Sequence, residues 1–410
     1  MSHVLTYVEL DGRSCPAGDA YFNLRRGRLT ATFSYDRDYL ALPGAYAIDP
    51  ALSLTTGSWP LPNGLPGAFS DAAPDRWGRN LIARRLRGEA AAEGRSTPTL
   101  DDRDYLLGVS DETRQGALRF KTDGDDDFQH PAPDVPKLIA LPALLHAANT
   151  VARDDPGNMD AIKVLLDAGT GSLGGARPKA SVRDDHRLMI AKFPHHADEW
   201  SVIAWEKTAL DLGEAAGIPV PNRQLVGIEG NPVLLLERFD RRGSHRIGYV
   251  SAMTLLEAKD GESRDYTEIA EVIPEHSSAA VDDLRQLWRR IAFSVAVHNT
   301  DDHLRNLGFL RQGSGWRLAP GFDINPNPSL STHRVTSIGG AANPPDEVNA
   351  LLVYAESFGL TGGQARAVLR EVADAAGGWK SVARGNGISQ SEISRFEGTL
   401  SHTISAVSLA

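Results

Sequence analysis

From Arg28 to Tyr35 the chain reads Arg-Leu-Thr-Ala-Thr-Phe-Ser-Tyr, and its apolar and polar residues alternate with the period of a half-buried strand. Proline and glycine then punctuate residues 42–67, as they do in loops. At Asp75 the pattern changes. Asp-Arg-Trp-Gly-Arg-Asn-Leu-Ile-Ala-Arg-Arg-Leu predicts a helix over 75–86 whose arginines form a solvated basic face. Acids and prolines crowd residues 122–136, the composition of a linker. A helical segment follows, then a glycine-rich loop at 169–175. Two short strands are predicted at 179–183 and 187–193, with Asp184-Asp185-His186 as the turn between them. Residues 197–216 carry helical spacing closed by Gly217, and Val233-Leu-Leu-Leu236 is a buried-strand run. Beyond about residue 250 the pattern is mainly helical apart from 299–345, and no repeat is visible. The expected fold class is α+β. Its expected parts are a β-rich N-terminal subdomain (1–122), a linker (123–136), a lobe carrying the glycine-rich loop (137–243) and a mainly helical lobe (244–410).

Composition narrows the function classes. The 410 residues are 41% hydrophobic, 23% charged and 7% aromatic, which is the profile of an ordinary globular enzyme. A net charge of −10 is a poor match to nucleic-acid phosphates, so any contact with DNA should come through a basic partner. Cys15 is the only cysteine, which excludes an intrachain disulfide and a cysteine zinc cluster and fits a reducing cytoplasm. The start, MSHVLTYVELDG, has no apolar run of signal-peptide length, and no apolar stretch is long enough for a membrane span. The expected location is the cytoplasm, with no membrane partner.

Gly169-Thr-Gly171-Ser172-Leu-Gly174-Gly175 contains G-x-G-x-x-G. In a dinucleotide-binding fold that pattern opens a helix, whereas in a kinase it joins two strands and covers phosphates with backbone N–H groups. Pro178 and the strand-type alternation after it favour the kinase version, and no Gly-Lys-Ser/Thr closes a Walker loop. Lys192, near the end of an apolar strand, is the candidate for holding the α- and β-phosphates. Glu206, on the next predicted helix, is its candidate partner. Read singly, the loop is a flexible turn and the lysine snorkels at a strand edge.

The most informative segment is His298-Asn-Thr-Asp301-Asp302-His303-Leu-Arg-Asn306. Asp301 and Asn306 stand in D-x-x-x-x-N spacing, which lets an aspartate take a hydroxyl proton while the asparagine carbonyl binds magnesium. Seventeen residues later, Gly321-Phe322-Asp323-Ile324 offers a second carboxylate, and oxygen ligands of this kind suit magnesium. Taken alone, Asp323 reads as a helix cap or an Asx turn before Asn325-Pro326. A zinc hydrolase is disfavoured because His298 and His303 are five apart and no H-E-x-x-H occurs, and a serine hydrolase lacks its G-x-S-x-G elbow. His303 is expected to support the loop or touch phosphate.

These segments, in this order, resemble the HipA family of serine/threonine kinases, the toxins of type II toxin–antitoxin systems. The resemblance runs through Pro74-Asp-Arg76, Gly116-Ala-Leu118, Ser172-Leu-Gly-Gly-Ala-Arg-Pro-Lys179, Ile190-Ala-Lys192-Phe-Pro, Leu236-Glu-Arg-Phe-Asp-Arg241, Thr300-Asp-Asp-His-Leu-Arg-Asn306 and Phe322-Asp-Ile324. It implies a two-lobed, protein-kinase-like fold that takes ATP and Mg2+. Asp301 would be the catalytic base, Asn306 and Asp323 the magnesium ligands, and Lys192 the phosphate lysine. Glu237 to Phe239 would form the adenine hinge. Gly171, Ser172, Gly174, Gly175 and His303 would face the nucleotide. Ser172 falls where the family carries an autophosphorylated serine, and phosphate there would expel the loop by charge repulsion. The resemblance further implies a small helix-turn-helix antitoxin that binds DNA, and protein substrates such as aminoacyl-tRNA synthetases. Two departures concern the substrate: Ala-Arg-Pro-Lys replaces Ala-Gln-Glu-Lys, and Asp302 stands where a small residue is commoner. Residues 388–397 resemble a helix-turn-helix in outline, although the family ordinarily ends in helices.

Two other functions fit parts of the same pattern. A small-molecule or lipid kinase also uses the D-x-x-x-x-N spacing and a later aspartate. A pseudokinase would hold nucleotide or partner without transfer, but such modules usually lack one of Lys192, Asp301, Asn306 or Asp323.

Overall fold

The computed structural model describes residues 2–62, 64–129, 135–153, 158–169, 175 and 177–410. Gly171, Ser172 and Gly174 lie outside the described residues. The chain is α+β and divides into two compact units, residues 1–197 with 227–250, and residues 198–226 with 251–410.

Unit 1 opens with an antiparallel sheet of five strands, β1 (Ser2–Leu10), β2 (Arg13–Arg25), β3 (Arg28–Tyr35), β4 (Trp59–Leu61) and β5 (Leu118–Thr122), in the order β4-β3-β2-β1-β5. The two hairpins turn at Asp11-Gly12 and Arg26-Gly27, where both residues of each pair take positive φ. That geometry matches the twist of the flanking strands, and glycine reaches it without a Cβ penalty. Alternation puts Val4, Val8, Ala31 and Phe33 on the buried face. There Phe33 meets Phe69 edge-on at 6.1 Å, and Phe69 meets Phe120 at 4.9 Å. The helix expected from Asp75 runs Arg76–Ala92, capped by Asp75 Oδ1 on the Gly78 N–H at 2.7 Å.

A second sheet holds β6 (Lys179–Asp184), β7 (Arg187–Lys192), β8 (Arg223–Ile228) and β9 (Asn231–Glu237) in the order β6-β7-β9-β8. Both strands predicted after the glycine loop are present, with Asp185 in the left-handed turn between them. Val233 to Leu236 are buried, as a continuous apolar run requires.

Unit 2 is mainly helical. Its central helix, Ala280–Ala296, buries Leu287, Trp288, Ile291, Ala292 and Phe293. The helix expected over 197–216 forms only from Val202 to Ala215. The polar residues before Ser201 add nothing to its buried face and stay in turns. Among the described residues no helix is long and apolar enough to cross a membrane. The segment 388–397 is not a separate helix-turn-helix. It leads into one helix, Gln390–Ser408, whose Ile393 and Phe396 are buried within unit 2.

Candidate active site

The site residues of unit 2 sit where the central helix ends. The chain reverses at His298, whose φ is 50°, a left-handed value that non-glycine residues seldom hold. The imidazole is buried, and its Nε2–H donates to the Ser329 carbonyl at 2.9 Å. Burial pushes its pKa below the usual histidine value, so the neutral ring is favoured.

Beyond His298 four successive carbonyls are each taken by a donor. Arg334 Nη1 donates to Asn299 O at 2.9 Å. The Val335 N–H donates to Thr300 O at 2.9 Å. Asn306 Nδ2 donates to Asp301 O at 3.0 Å, and Thr336 Oγ1 to Asp302 O at 2.7 Å. The loop is thus laced to residues 334–336 and to its own far end. Its two aspartates differ. Asp301 is exposed, whereas Asp302 is buried and its carboxylate accepts from Tyr266 Oη at 2.5 Å and from Ser294 Oγ at 3.2 Å.

The Asn306 bond turns its amide nitrogen towards Asp301, so Oδ1, the atom a cation would use, is directed elsewhere. Asp323 has φ of 56°, a conformation that aspartate tolerates better than most residues. Asn325 Nδ2 donates back to its carbonyl at 3.2 Å, whereas the Asn325 N–H, which an Asx turn at Asp323 would use, donates to Asn299. Asn325 N–H donates to Asn299 Oδ1 at 3.3 Å, Asn327 N–H to His298 O at 3.0 Å, and Asn327 Nδ2 to Thr300 Oγ1 at 3.2 Å. These three bonds join the segment after Asp323 to the loop that carries Asp301. His303 is half-buried, and its Nδ1 has no hydrogen-bond partner among the described residues. Among the described residues no cluster of three histidine, cysteine, aspartate or glutamate side chains could form a metal cage. Glu206 is buried on the Val202–Ala215 helix.

The other expected residues belong to unit 1. Lys192 and Lys179 are cross-strand partners on β7 and β6, and both are buried. Like charges placed opposite one another repel. Asp75 offsets the charge of Lys179: its Oδ2 lies 2.7 Å from Lys179 Nζ while its Oδ1 caps the helix. Gly169, at the entry to the glycine loop, has φ of 69°, and its carbonyl accepts from Thr113 Oγ1 at 2.9 Å. A Cβ at that position would meet the Thr113 side chain at 2.3 Å. Gly175 also takes positive φ. Glu237 ends β9, 3.8 Å from Arg187. The ring of Phe239 lies 6.4 Å from that of Tyr249. The backbone beyond Glu237 is held by Asp240, which accepts from the Gly116 N–H at 2.8 Å and from Arg238 Nε at 2.7 Å. Burial alone would raise the Asp240 pKa, but the guanidinium groups of Arg238 and Arg241 hold it below the usual carboxylate range.

Sequence reasoning assigned no role to Lys179, Asp75, Tyr266 or Arg334. A lysine flanked by the apolar positions of β6 is the only local signal among them. Asp75 shows locally only as a helix cap, and Tyr266 and Arg334 are recognisable solely through partners distant in the chain.

Family models for the HipA-like C-terminal domain and the HipA N-terminal domain match residues 171–379 and 20–97. The Shewanella oneidensis MR-1 toxin–antitoxin complex of HipA, HipB and operator DNA contains a chain similar in fold, with a TM-score of 0.69 and 15% identity. The match covers 99% of this chain and 96% of that one. The Helicobacter pylori proinflammatory kinase CtkA aligns far more loosely, at a TM-score of 0.38 and 15% identity over 56% of this chain and 93% of that one. A Haemophilus influenzae protein provisionally named a kinase is 25% identical over 186 residues. That stretch is 39% of this chain and 54% of the relative, so the chain spans about half the relative's length.

Proposed function

Because this chain belongs to the HipA family, we propose that it is an ATP- and magnesium-dependent serine/threonine protein kinase with a toxin's role. The observation that carries this reading is the laced loop, which presents the exposed Asp301 beside an Asn306 whose amide orientation is set by Asp301's own carbonyl. The transfer forms a bond between an acceptor hydroxyl oxygen and the γ-phosphorus. It breaks the bond from that phosphorus to the bridging oxygen, which leaves with its electron pair as ADP, and hands the hydroxyl proton to Asp301. Bound magnesium supplies charge neutralisation on the phosphates. Asn306 and Asp323 offer one amide oxygen and one carboxylate, a donor set that suits a hard cation which keeps waters and phosphates as its other ligands. Lys192 takes phosphate charge. Lys192 and Lys179, buried opposite one another on β7 and β6, place two cationic side chains on neighbouring strands, which supports a role beside an anion. The orphaned Nδ1 of His303 fits a role beside phosphate. Glu206 is read as the lysine's carboxylate partner, and Glu237 to Phe239 as the adenine hinge.

In the same reading, Gly171, Ser172, Gly174 and Gly175 cover the nucleotide and phosphate on Ser172 shuts the enzyme down. The four-part division at 122, 136 and 243 belongs to it too. The acceptor is a protein, such as an aminoacyl-tRNA synthetase, and the restraint is a HipB-like helix-turn-helix antitoxin. The Shewanella HipA was solved in a complex with HipB and operator DNA. With a net charge of −10, this chain would meet DNA only through a basic partner.

The test is to incubate the full chain with ATP and magnesium and follow intact mass, with Asp301→Asn in parallel. One phosphate on the wild type, mapping to Ser172, is expected, and the variant should be slower by about 100- to 10,000-fold. If neither the chain nor any added protein gains phosphate despite ATP binding, the protein-kinase reading fails. A small-molecule kinase or a binding module would then take its place.

A further inference from the structure

The loop that carries Asp301 has a second, buried acid. Asp302 turns its carboxylate away from solvent onto Tyr266 Oη at 2.5 Å and Ser294 Oγ at 3.2 Å. Tyr266 is completely buried at the start of its helix, Tyr266–His276, and Ser294 is buried in the last turn of the central helix. Ser294 Oγ also accepts from Arg334 Nη1 at 3.0 Å, and Arg334 Nε donates to Glu347 at 2.7 Å. The charged groups around the carboxylate are therefore Arg334 and its partner Glu347, with Arg290 acting on it through the buried interior. The backbone of Asp302 is held too, by Thr336 Oγ1 on its carbonyl.

Burying a carboxylate carries a large desolvation cost, so a site that keeps one must return that cost in hydrogen bonds or in geometry. An apolar side chain here would take this acceptor from the buried Tyr266 and Ser294 hydroxyls. What the acid adds is direction. One residue before it, Asp301 is exposed on a backbone with no regular secondary structure. Fixing residue 302 by both side chain and carbonyl leaves that backbone little freedom to rotate.

We propose that Asp302 is a positioning residue for phosphoryl transfer, with Tyr266 as its anchor and the carbonyl contacts from Arg334, Val335 and Thr336 as the other half of the clamp. The role rests on the kinase reading above. Asp302 touches neither nucleotide nor acceptor. It sets where the Asp301 carboxylate stands when the acceptor hydroxyl gives up its proton. Removing the clamp should slow transfer and leave ATP binding alone.

The experiment uses the full chain with γ-labelled ATP and magnesium. Transfer onto the chain itself is timed in a single turnover, and ATP affinity and melting temperature are measured in parallel. Tyr266→Phe keeps the ring and the buried carboxylate but loses the hydroxyl. Asp302→Asn keeps the shape and an acceptor for Tyr266, whereas Asp302→Ala keeps neither. The expected order of rates is wild type, then Asp302→Asn, then Asp302→Ala, with Tyr266→Phe slower than wild type. Displacing a reacting group this way should cost about 10- to 100-fold in rate while ATP affinity stays put. Should the rates fall only with the melting temperature, or together with ATP affinity, the residue is merely structural and the proposal fails. Unchanged rates in Tyr266→Phe and Asp302→Asn would overturn it as well. A wild-type chain that transfers no phosphate would instead overturn the kinase reading, and the positioning role with it.

Discussion

Arg334 and Glu347 meet at 2.7 Å with side-chain exposures of 0% and 1%, and each keeps an atom, Nη2 and Oε2, that has no hydrogen-bond partner among the described residues. A single-pronged contact recovers less of the desolvation cost than a bidentate pair would. Breaking the pair is a different matter, because it strands the remaining charge in the interior. Glu347→Ala should destabilise the chain by about 3–5 kcal/mol, measured as a shift in urea midpoint at constant slope. Glu347→Gln, which still offers Nε an acceptor, should cost less. The double change Arg334→Met with Glu347→Leu should restore most of the stability, since a buried pair replaced by apolar residues is often neutral. It should not restore phosphoryl transfer, because Arg334 also holds Asn299 O and Ser294 Oγ. Stability recovered without activity would separate the arginine's two roles.

At the scale of elements, the last helix shows what a local pattern can and cannot reveal. Gln390–Ser408 presents Phe396 to Trp205 in a stack at 3.9 Å and to Trp200 edge-on at 5.7 Å. Glu392 accepts from Trp205 Nε1 and from the Ser201 N–H, both at 3.1 Å. One turn beyond Phe396, Thr399 Oγ1 donates to Pro328 O at 2.6 Å, and another turn on, Thr403 Oγ1 donates to Ala296 O at 2.7 Å. The first of these carbonyls belongs to the segment after Asp323 and the second to the end of the central helix before His298. Phe396→Ala should cost about 3–5 kcal/mol in urea unfolding, as large aromatic truncations in a core do. Local periodicity showed a helix here but not its partners, so a short polar stretch at 388–397 looked like a DNA-reading motif when its apolar residues are core. The same limit applies at the site. The strand Arg28–Tyr35, the strands flanking Asp185 and the spacing of Asp301 to Asn306 were legible because each signal lies within a few residues. The clamp on Asp302 was not, since its partners are 36 residues away at Tyr266 and 34 at Thr336. The pair of Asp75 with Lys179 spans 104 residues, and nothing in either neighbourhood points to the other.

Across the whole molecule, two histidines give the two units opposite responses to pH. In unit 1, His3 stacks on Tyr21 at 4.6 Å, with Nε2 on Asp19 and Nδ1 on Asp123, each at 2.7 Å. Partial burial pulls its pKa down, but the hydrogen bonds to the two carboxylates outweigh that and raise it above the ordinary 6.5. In unit 2, burial lowers the pKa of His298 below the same value. The signs follow from which state binds more protons. His3 binds its proton more tightly when folded, so its contribution is full below 6.5 and is lost as pH rises through the folded pKa. His298 binds its proton less tightly when folded, so its contribution is full above 6.5 and is lost as pH falls through the folded pKa. Lowered carboxylates such as Asp111 and Asp240 act only at more acid pH, since ordinary carboxylates titrate near 4. Between about pH 8 and pH 5.5, therefore, acidification should strengthen the corner where β1, β2 and Asp123 meet and weaken the loop around residue 298. Hydrogen–deuterium exchange on the full chain, corrected for intrinsic rates, should show protection rising at residues 2–8 and falling at 295–302. His3→Gln should abolish the first trend alone, and His298→Gln the second alone. Parallel trends in both regions would mean that acid acts through global unfolding, and the assignment of the pH response to these two rings would be wrong.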